Sequence, residues 1–245
     1  MSNEIPPKNI PKLAAIVPAY NEAETIAEVL SVLKSVPGIQ EILVVSDGST
    51  DGTVEIARSL KMRTIHLREN HGKGTAMAVG VAHTDADILL FVDGDILNLT
   101  GSLLEQLMAP VLAGTSDMNV GVRNRGEILN AVQQRTGPLL SGIRCLRREV
   151  FEAVPESHRE GFAIETGLNW ACEELGMRTT TLVMHNLRHL VKEKKRGVWR
   201  GMKARVRMFA AVFGAYLVLR FKPPGLRHSA SGQPIFQPEL EYINF

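Results

Sequence analysis

Asp93-Gly94-Asp95 sets two carboxylates either side of a residue with no side chain. Aspartates so spaced supply hard oxygen ligands for Mg2+ or Mn2+, ions that bind few protein groups and complete their shell with substrate phosphates. A diphosphate leaving group needs such charge neutralisation as its bond breaks. Taken alone the motif also reads as a turn, since Asp and Gly are good turn formers. Gly72-Lys73-Gly74 is a second signal. Its glycines let backbone N–H groups approach an anion at the start of a helix, and Lys73 adds a point charge for phosphate. Taken alone, this too reads as a tight turn with a solvated lysine. Asp47 can accept from a nucleobase N–H or a ribose hydroxyl; Asp47 or Ser49 can equally cap the next helix. Pro18-Ala-Tyr20-Asn-Glu22 offers a ring and a carboxylate, with Asn21 as a competing helix cap.

The elements that must carry these groups alternate between two periodicities. Leu13 to Val17 is a short apolar run stopped by Pro18, and Ile26, Val29, Leu30 and Leu33 recur at helical spacing before Pro37-Gly38. Ile42 to Val45 is a second strand, Val54 to Leu60 a helix, and Thr64 to Leu67 a weaker strand. Thr75 to Ala82 is a helix of small residues, and Ile88 to Val92 a fourth strand that ends at Asp93. Alternating strands and helices predict βαβ units and a mostly parallel sheet covered on both faces. Ligands of such sheets bind beyond the carboxyl ends of the strands, so the polar loops are expected to share one crevice. Further along, the pattern predicts helices over Leu103 to Leu112 and Ile164 to Leu175. It predicts strands over Met118 to Val122 and Thr179 to Met184, with a turn from Gly137 into another strand.

The Gly72-Lys73-Gly74 stretch is not the P-loop pattern, and no G-x-G-x-x-G follows the first strand, so a dinucleotide-binding reading lacks its main evidence. The remaining pattern resembles the nucleotide-sugar glycosyltransferases of GT-A fold, family 2. The resemblance rests on Val17 to Glu22, Val45 to Thr53, Gly72 to Gly74 and Asp93 to Asp95, and spans roughly residues 13 to 190. It implies that Pro18, Tyr20 and Glu22 line a nucleoside pocket and that Asp47 contacts base or ribose. Lys73 would lie near base and diphosphate, Asp93 and Gly94 would meet ribose or sugar, and Asp95 would hold the metal. One departure is Ser46, where the family usually has an acid; weaker base contacts or an altered nucleotide preference follow from it.

A narrower similarity to the glucosyl-3-phosphoglycerate synthases and their relatives runs through Asp93 to Asn98, Pro138 to Gly142, Gly161 to Gly167 and Asn186 to His189. It implies that His189 completes the metal site, which suits neutral imidazole beside a carboxylate; His185 competes for the role. The phosphate-gripping stretch of those enzymes is not evident between Val120 and Gly137, so their acceptor does not carry over. Glu165 is the candidate base or acceptor ligand, and its alternative use is to favour a helix N-terminus. Ser141, Gly142 and Arg144 are acceptor-side candidates, Arg144 being equally readable as a surface residue. Family 2 generally inverts the anomeric centre while the phosphoglycerate relatives retain it, so the resemblance implies either outcome.

Composition is that of a globular chain: 245 residues, 44% hydrophobic and 22% charged. The two cysteines, Cys145 and Cys172, have no metal spacing and form no disulfide framework, which fits a reducing compartment. The start of the chain does not read as a secretory signal, and the longest uncharged apolar run, Met208 to Leu219, falls short of the ~18 residues of a membrane span. The net charge of +2 hides an asymmetry: Arg178 to Arg227 holds thirteen Lys and Arg against one acid, Glu193. Trp199, Met202, Val206, Phe209, Phe213 and Tyr216 form an apolar seam within that tail. The tail therefore reads as an amphipathic helix. It would pack on the catalytic domain, on a second copy as a homodimer, or on an anionic membrane surface. Nucleic acid is not expected, for lack of interleaved exposed aromatics.

Three segments follow: an extension over 1–12, a GT-A domain over 13–197, and a basic helix and arm over 198–245, with Pro223 to Phe245 extended. The expected activity is metal-dependent transfer from a UDP- or GDP-sugar to a polyprenyl phosphate or a small phosphorylated or hydroxylated metabolite. The expected location is cytoplasmic, with peripheral attachment to the membrane face under the lipid reading. The alternative is a non-catalytic nucleotide-binding or membrane-recruited protein of the same fold. A sugar nucleotidyltransferase would want a glycine-rich basic loop after the first strand, which Pro18 to Glu22 does not supply.

Overall fold

A computed structural model describes residues 11–124, 141–159, 163–189 and 240–243. Its centre is an eight-stranded sheet in the order β10-β3-β2-β1-β4-β7-β6-β8. These strands are β1 Leu13–Ala19, β2 Glu41–Ser46, β3 Arg63–Leu67, β4 Ile88–Phe91, β6 Met118–Arg123, β7 Arg144–Arg147, β8 Thr179–Met184 and β10 Leu240–Ile243. Pairing is parallel through β3, β2, β1 and β4 and between β6 and β8. It is antiparallel where β7 joins β4 to β6 and where β10 meets β3. The mostly parallel sheet expected from the alternating pattern is thus present.

Among the described residues six α-helices cover the sheet: α1 Ile26–Ser35, α2 Thr53–Ser59, α3 Lys73–Ala82, α4 Gly101–Leu112, α5 Arg148–Glu152 and α6 Ala163–Glu174. Strand alternation feeds two cores. Leu13, Ala15, Val17 and Val44 face α1, α2 and α4, while Ala14, Ile16, Leu43 and Val45 face α3, α5 and α6. This explains why β1 and β2 read as solid apolar runs: both faces are buried. Each Leu or Ile so buried contributes about 1.5–3 kcal/mol, before the cost of ordering the chain.

The chain winds β1, β2, β3 in one direction and then crosses to place β4 on the other side of β1. That reversal opens a crevice at the carboxyl ends of β1 and β4. β1 continues through Pro18, which pairs with Val45, to Ala19, so Pro18 does not stop the strand as its type suggests. The Ile16 carbonyl accepts from Val92 N. Pro18, two residues on, faces the same neighbour beyond the last β1–β4 pair, Ile16 with Phe91, where no ladder bond needs its missing N–H. α3 begins at Lys73, two residues ahead of the expected start. Of the expected C-terminal arm, Leu240–Ile243 is not merely extended but hydrogen-bonded to β3, and so forms the edge of the sheet. The amphipathic seam from Trp199 to Tyr216, and the boundary near 197, lie outside the described residues. Among the described residues no helix is long and apolar enough to cross a membrane.

A second, two-stranded ladder pairs β5 Ile96–Leu97 with β9 Arg188–His189. It matches Ile96 with His189, and the Asn98 side chain donates to the Asn186 carbonyl at 3.0 Å. Asn98 and Asn186 both hold positive φ, 61° and 62°, a conformation asparagine tolerates better than most residues.

Candidate active site

The loops after β1 and β2 are tied together by side-chain to backbone bonds. Asn21 N donates to Ser49 Oγ at 3.1 Å, Thr50 N to Asn21 Oδ1 at 2.8 Å, and Glu22 N to Thr53 Oγ1 at 2.8 Å. Asn21 therefore serves the neighbouring loop rather than capping α1, whose N-cap is Thr25. Thr25 instead sends its hydroxyl to the Gly94 carbonyl at 2.7 Å, which fastens the Asp93–Asp95 turn to the start of α1. Pro18 and Glu22 thus come to the same end of the sheet as Asp93 and Asp95, and Tyr20, in the same loop, is half-buried.

Asp47 does not cap α2. Its carboxylate accepts from His71 N and Gly72 N, both at 2.8 Å, and so holds the loop that precedes Lys73. Burial raises its pKa above the ordinary aspartate value, more than the two N–H bonds lower it. Gly48, at φ 70°, is where these two loops meet; a Cβ there would stand 2.7 Å from Asn70 N, so glycine is required for both its conformation and its bareness. Ser46, the departure from the usual acid, is buried beneath this loop. Its hydroxyl lies 3.1 Å from His66 Nδ1 and accepts from Ser49 N at 3.3 Å.

Lys73 opens α3 and reaches two carboxylates at once: Asp93 Oδ1 at 2.7 Å and Glu165 Oε1 at 2.9 Å. Side-chain exposures of 15%, 19% and 11% put this cluster at the wall of the crevice rather than on the surface. Burial pulls the Lys73 pKa down, but Asp93 and Glu165 outweigh it and hold the ammonium above its ordinary value. Gly142 lies directly over the pair: a Cβ there would collide with the Asp93 carboxylate and the Lys73 ammonium. Ser141 donates its hydroxyl to the Gly121 carbonyl. Arg144 is no surface residue. It is buried, and its guanidinium faces the protein at Ser141, Glu165 and Asn169.

The carboxyl end of the sheet therefore joins Lys73 to the carboxylates of Asp93 and Glu165, with Glu22 packed beside Gly94 and the Asp47 carboxylate holding the loop before Lys73. An excess of oxygen-donor negative charge fits a hard divalent cation, and half-buried Asp95 is a suitable ligand. Among the described residues no three His, Cys, Asp or Glu side chains form a metal cage by themselves. The β5–β9 ladder brings the His189 backbone beside the residue that follows Asp95; its side chain lies outside the described residues. His185, the competing ligand, is exposed, with Nδ1 2.9 Å from Asn124 Nδ2.

Several contributors carried no signal in residue type or spacing. Thr25, His66 and Asn169 act through partners 69, 20 and 25 positions away. Asp51 lay within the quoted loop, yet its bonds to Thr53 N at 3.0 Å and Ala23 N at 3.2 Å emerge only from the fold.

Comparison with known proteins points the same way. Residues 14–159 match the family model described as glycosyl transferase family 2. The chain is 31% identical over 186 residues to the glycosyltransferase AglJ of Haloferax volcanii, covering 68% of this chain and 60% of that protein. It is 30% identical over 157 residues to the poly-beta-1,6-N-acetyl-D-glucosamine synthase of Staphylococcus aureus, covering 60% and 38% respectively. It thus spans less than two thirds of these relatives' lengths. Among solved structures it is similar to glucosyl-3-phosphoglycerate synthase from Mycobacterium tuberculosis in complex with Mn2+, UDP-glucose and phosphoglyceric acid. That likeness has a TM-score of 0.70 at 22% identity, covering 88% of this chain and 82% of that one, and concerns the fold.

Proposed function

The chain belongs to glycosyl transferase family 2, and from that premise we propose that it moves a sugar from a UDP- or GDP-sugar to an anionic or hydroxylated acceptor, with Mg2+ or Mn2+ at the diphosphate. The observation that carries this reading is the convergence of the Asp47 loop, Lys73, Asp93, Asp95 and Glu165 at one end of the sheet. The Mn2+ and UDP-glucose in the related solved structure support the donor class.

In this reading Pro18, Tyr20 and Glu22 flank the nucleoside, Asp47 meets base or ribose, and Asp93 with Gly94 meets ribose or sugar. Asp95 and His189 would hold the metal ion, which when bound neutralises charge on the departing diphosphate. Lys73 supplies a second, fixed positive charge on the nucleotide side. Ser141 and Gly142 face the acceptor. As the new bond to the anomeric carbon forms and the bond to diphosphate breaks, Glu165 orients a hydroxyl acceptor and takes its proton. A phosphate acceptor, such as a polyprenyl phosphate, arrives deprotonated and needs only orientation. Residues 198–245 would then hold the enzyme at an anionic membrane face or pair two copies. Sedimentation with phosphatidylglycerol vesicles, against phosphatidylcholine vesicles, separates those two uses.

Thermal shift with UDP-glucose and GDP-mannose, with and without Mn2+, tests the donor reading. A matched nucleotide sugar at a hundred times its dissociation constant stabilises by about 2.7 kcal/mol, and the shift should require Mn2+. Stabilisation without metal dependence, followed by no release of nucleoside diphosphate, would support a non-catalytic binder instead.

A further inference from the structure

Arg144 is 1% exposed, yet it sits in the first residue of a strand at the rim of the crevice. Nε and Nη2 donate to the Ser141 carbonyl at 3.0 and 2.9 Å. Nη1 donates to Asn169 Oδ1 at 3.2 Å and to the Glu165 carbonyl at 3.4 Å. One guanidinium thus joins the turn bearing Ser141 and Gly142 to two successive turns of α6. A planar fork of donors can hold several acceptors from different elements at once, and an ammonium cannot match that geometry.

The charge itself needs an account, because an isolated buried guanidinium is costly. Burial lowers the Arg144 pKa, and the nearby Glu165 and Asp93 carboxylates partly offset this. With Lys73 on the same two carboxylates, the cluster holds two cations and two anions. Lys73 reaches the crevice wall, whereas Arg144 spends its donors on protein groups.

We propose that Arg144 is a positioning residue. It is the buried counter-charge that fixes the Ser141–Gly142 turn against α6 and so sets where Glu165 and Gly142 stand relative to donor and acceptor. The inference rests on the transferase reading but assigns Arg144 no substrate contact.

The test uses the full chain, with Mn2+-dependent hydrolysis of UDP-glucose and GDP-mannose as probes, beside melting temperature and amide exchange. Arg144→Lys keeps the charge and loses the fork. It should stay folded, lose about tenfold to a hundredfold in kcat, and keep KM for the donor within about twofold, as expected when reacting groups are displaced without loss of ground-state binding. Asn169→Ala should lower kcat in the wild-type background and add nothing further in Arg144→Lys, because both changes cut one connection. Arg144→Met should be worse than Arg144→Lys in kcat or fail to fold, and the Lys and Asn169 variants carry the test in that event. Wild-type kcat in Arg144→Lys, a change confined to the donor KM, or fully multiplicative losses in the double variant would each overturn the proposal. Should the wild type turn over neither probe, the transferase reading fails separately. The tie itself is then judged by hydrogen exchange at Ser141 to Ile143 and Glu165 to Asn169: faster exchange in Arg144→Lys supports it, and unchanged exchange overturns it.

Discussion

Replacing Lys73 by Met removes the ammonium and keeps most of the side-chain volume. Asp93 Oδ1 and Glu165 Oε1 stand 2.7 and 2.9 Å from Nζ, so the two oxygens lie within the sum of those distances of each other. Two carboxylates about 5 Å apart in a half-buried site, at an effective dielectric near 20, repel by about 3 kcal/mol. The Met variant should therefore lose about 2–4 kcal/mol of stability at pH 8. Protonation of either carboxylate removes this repulsion, so acid should relieve the deficit. A folded-state pKa raised above the unfolded value contributes stability below the unfolded value, lost as pH rises through the folded one. The deficit should accordingly shrink between pH 8 and pH 5. In the wild type, Asp93 and Glu165 hold the Lys73 pKa above the ordinary lysine value, so its contribution is constant below that value and is lost only in strong alkali. Urea unfolding of both proteins at pH 5, 6.5 and 8, with unchanged m-values as the control, measures the difference. A deficit independent of pH, or a Met variant as stable as wild type at pH 8, would refute this electrostatic picture.

Other consequences follow from the same geometry. Gly142→Ala drives a methyl group into the Asp93 carboxylate and the Lys73 ammonium; it should cost about 1–3 kcal/mol by denaturant unfolding and lower turnover further than stability alone explains. Thr25→Val removes the bond to the Gly94 carbonyl and should cost about 1 kcal/mol, with Mn2+ binding by calorimetry weakened though Thr25 touches no ligand. Asp47→Asn must turn an amide N–H₂ toward the His71 or Gly72 N–H and should cost about 1–3 kcal/mol, with faster amide exchange at those two positions. Cys145 and Cys172 are both buried, so a thiol reagent should label neither in the native protein and both after unfolding.

The parallel half of the fold was legible because its strands are buried on both faces and its first helix carries a single apolar stripe. Ile26, Val29, Leu30 and Leu33 announce α1, and all four are buried. Pro18 misled because a residue type cannot tell which ladder bond the chain needs at that point. The candidate site was legible as separate loops, each placed by the rule that polar groups gather at strand ends. Their direct contacts were not. Nothing in the spacing says that Lys73 bridges Asp93 and Glu165 across 20 and 92 positions of chain, or that Asp47 holds a loop rather than a helix start. Arg144 shows the same limit, since an arginine in sequence reads as exposed and only the packing of β7 against α6 reveals a buried one.

The central claim is that these loops serve metal-assisted sugar transfer, and Asp95 is its most exposed point. The decisive measurement is release of nucleoside diphosphate from UDP-glucose and GDP-mannose by wild type and Asp95→Ala, with Mn2+ and with chelator. Turnover by the wild type that chelation abolishes, and a loss of at least about a hundredfold in Asp95→Ala, is the result expected. Full turnover by Asp95→Ala, or wild-type turnover indifferent to chelation, would contradict the account.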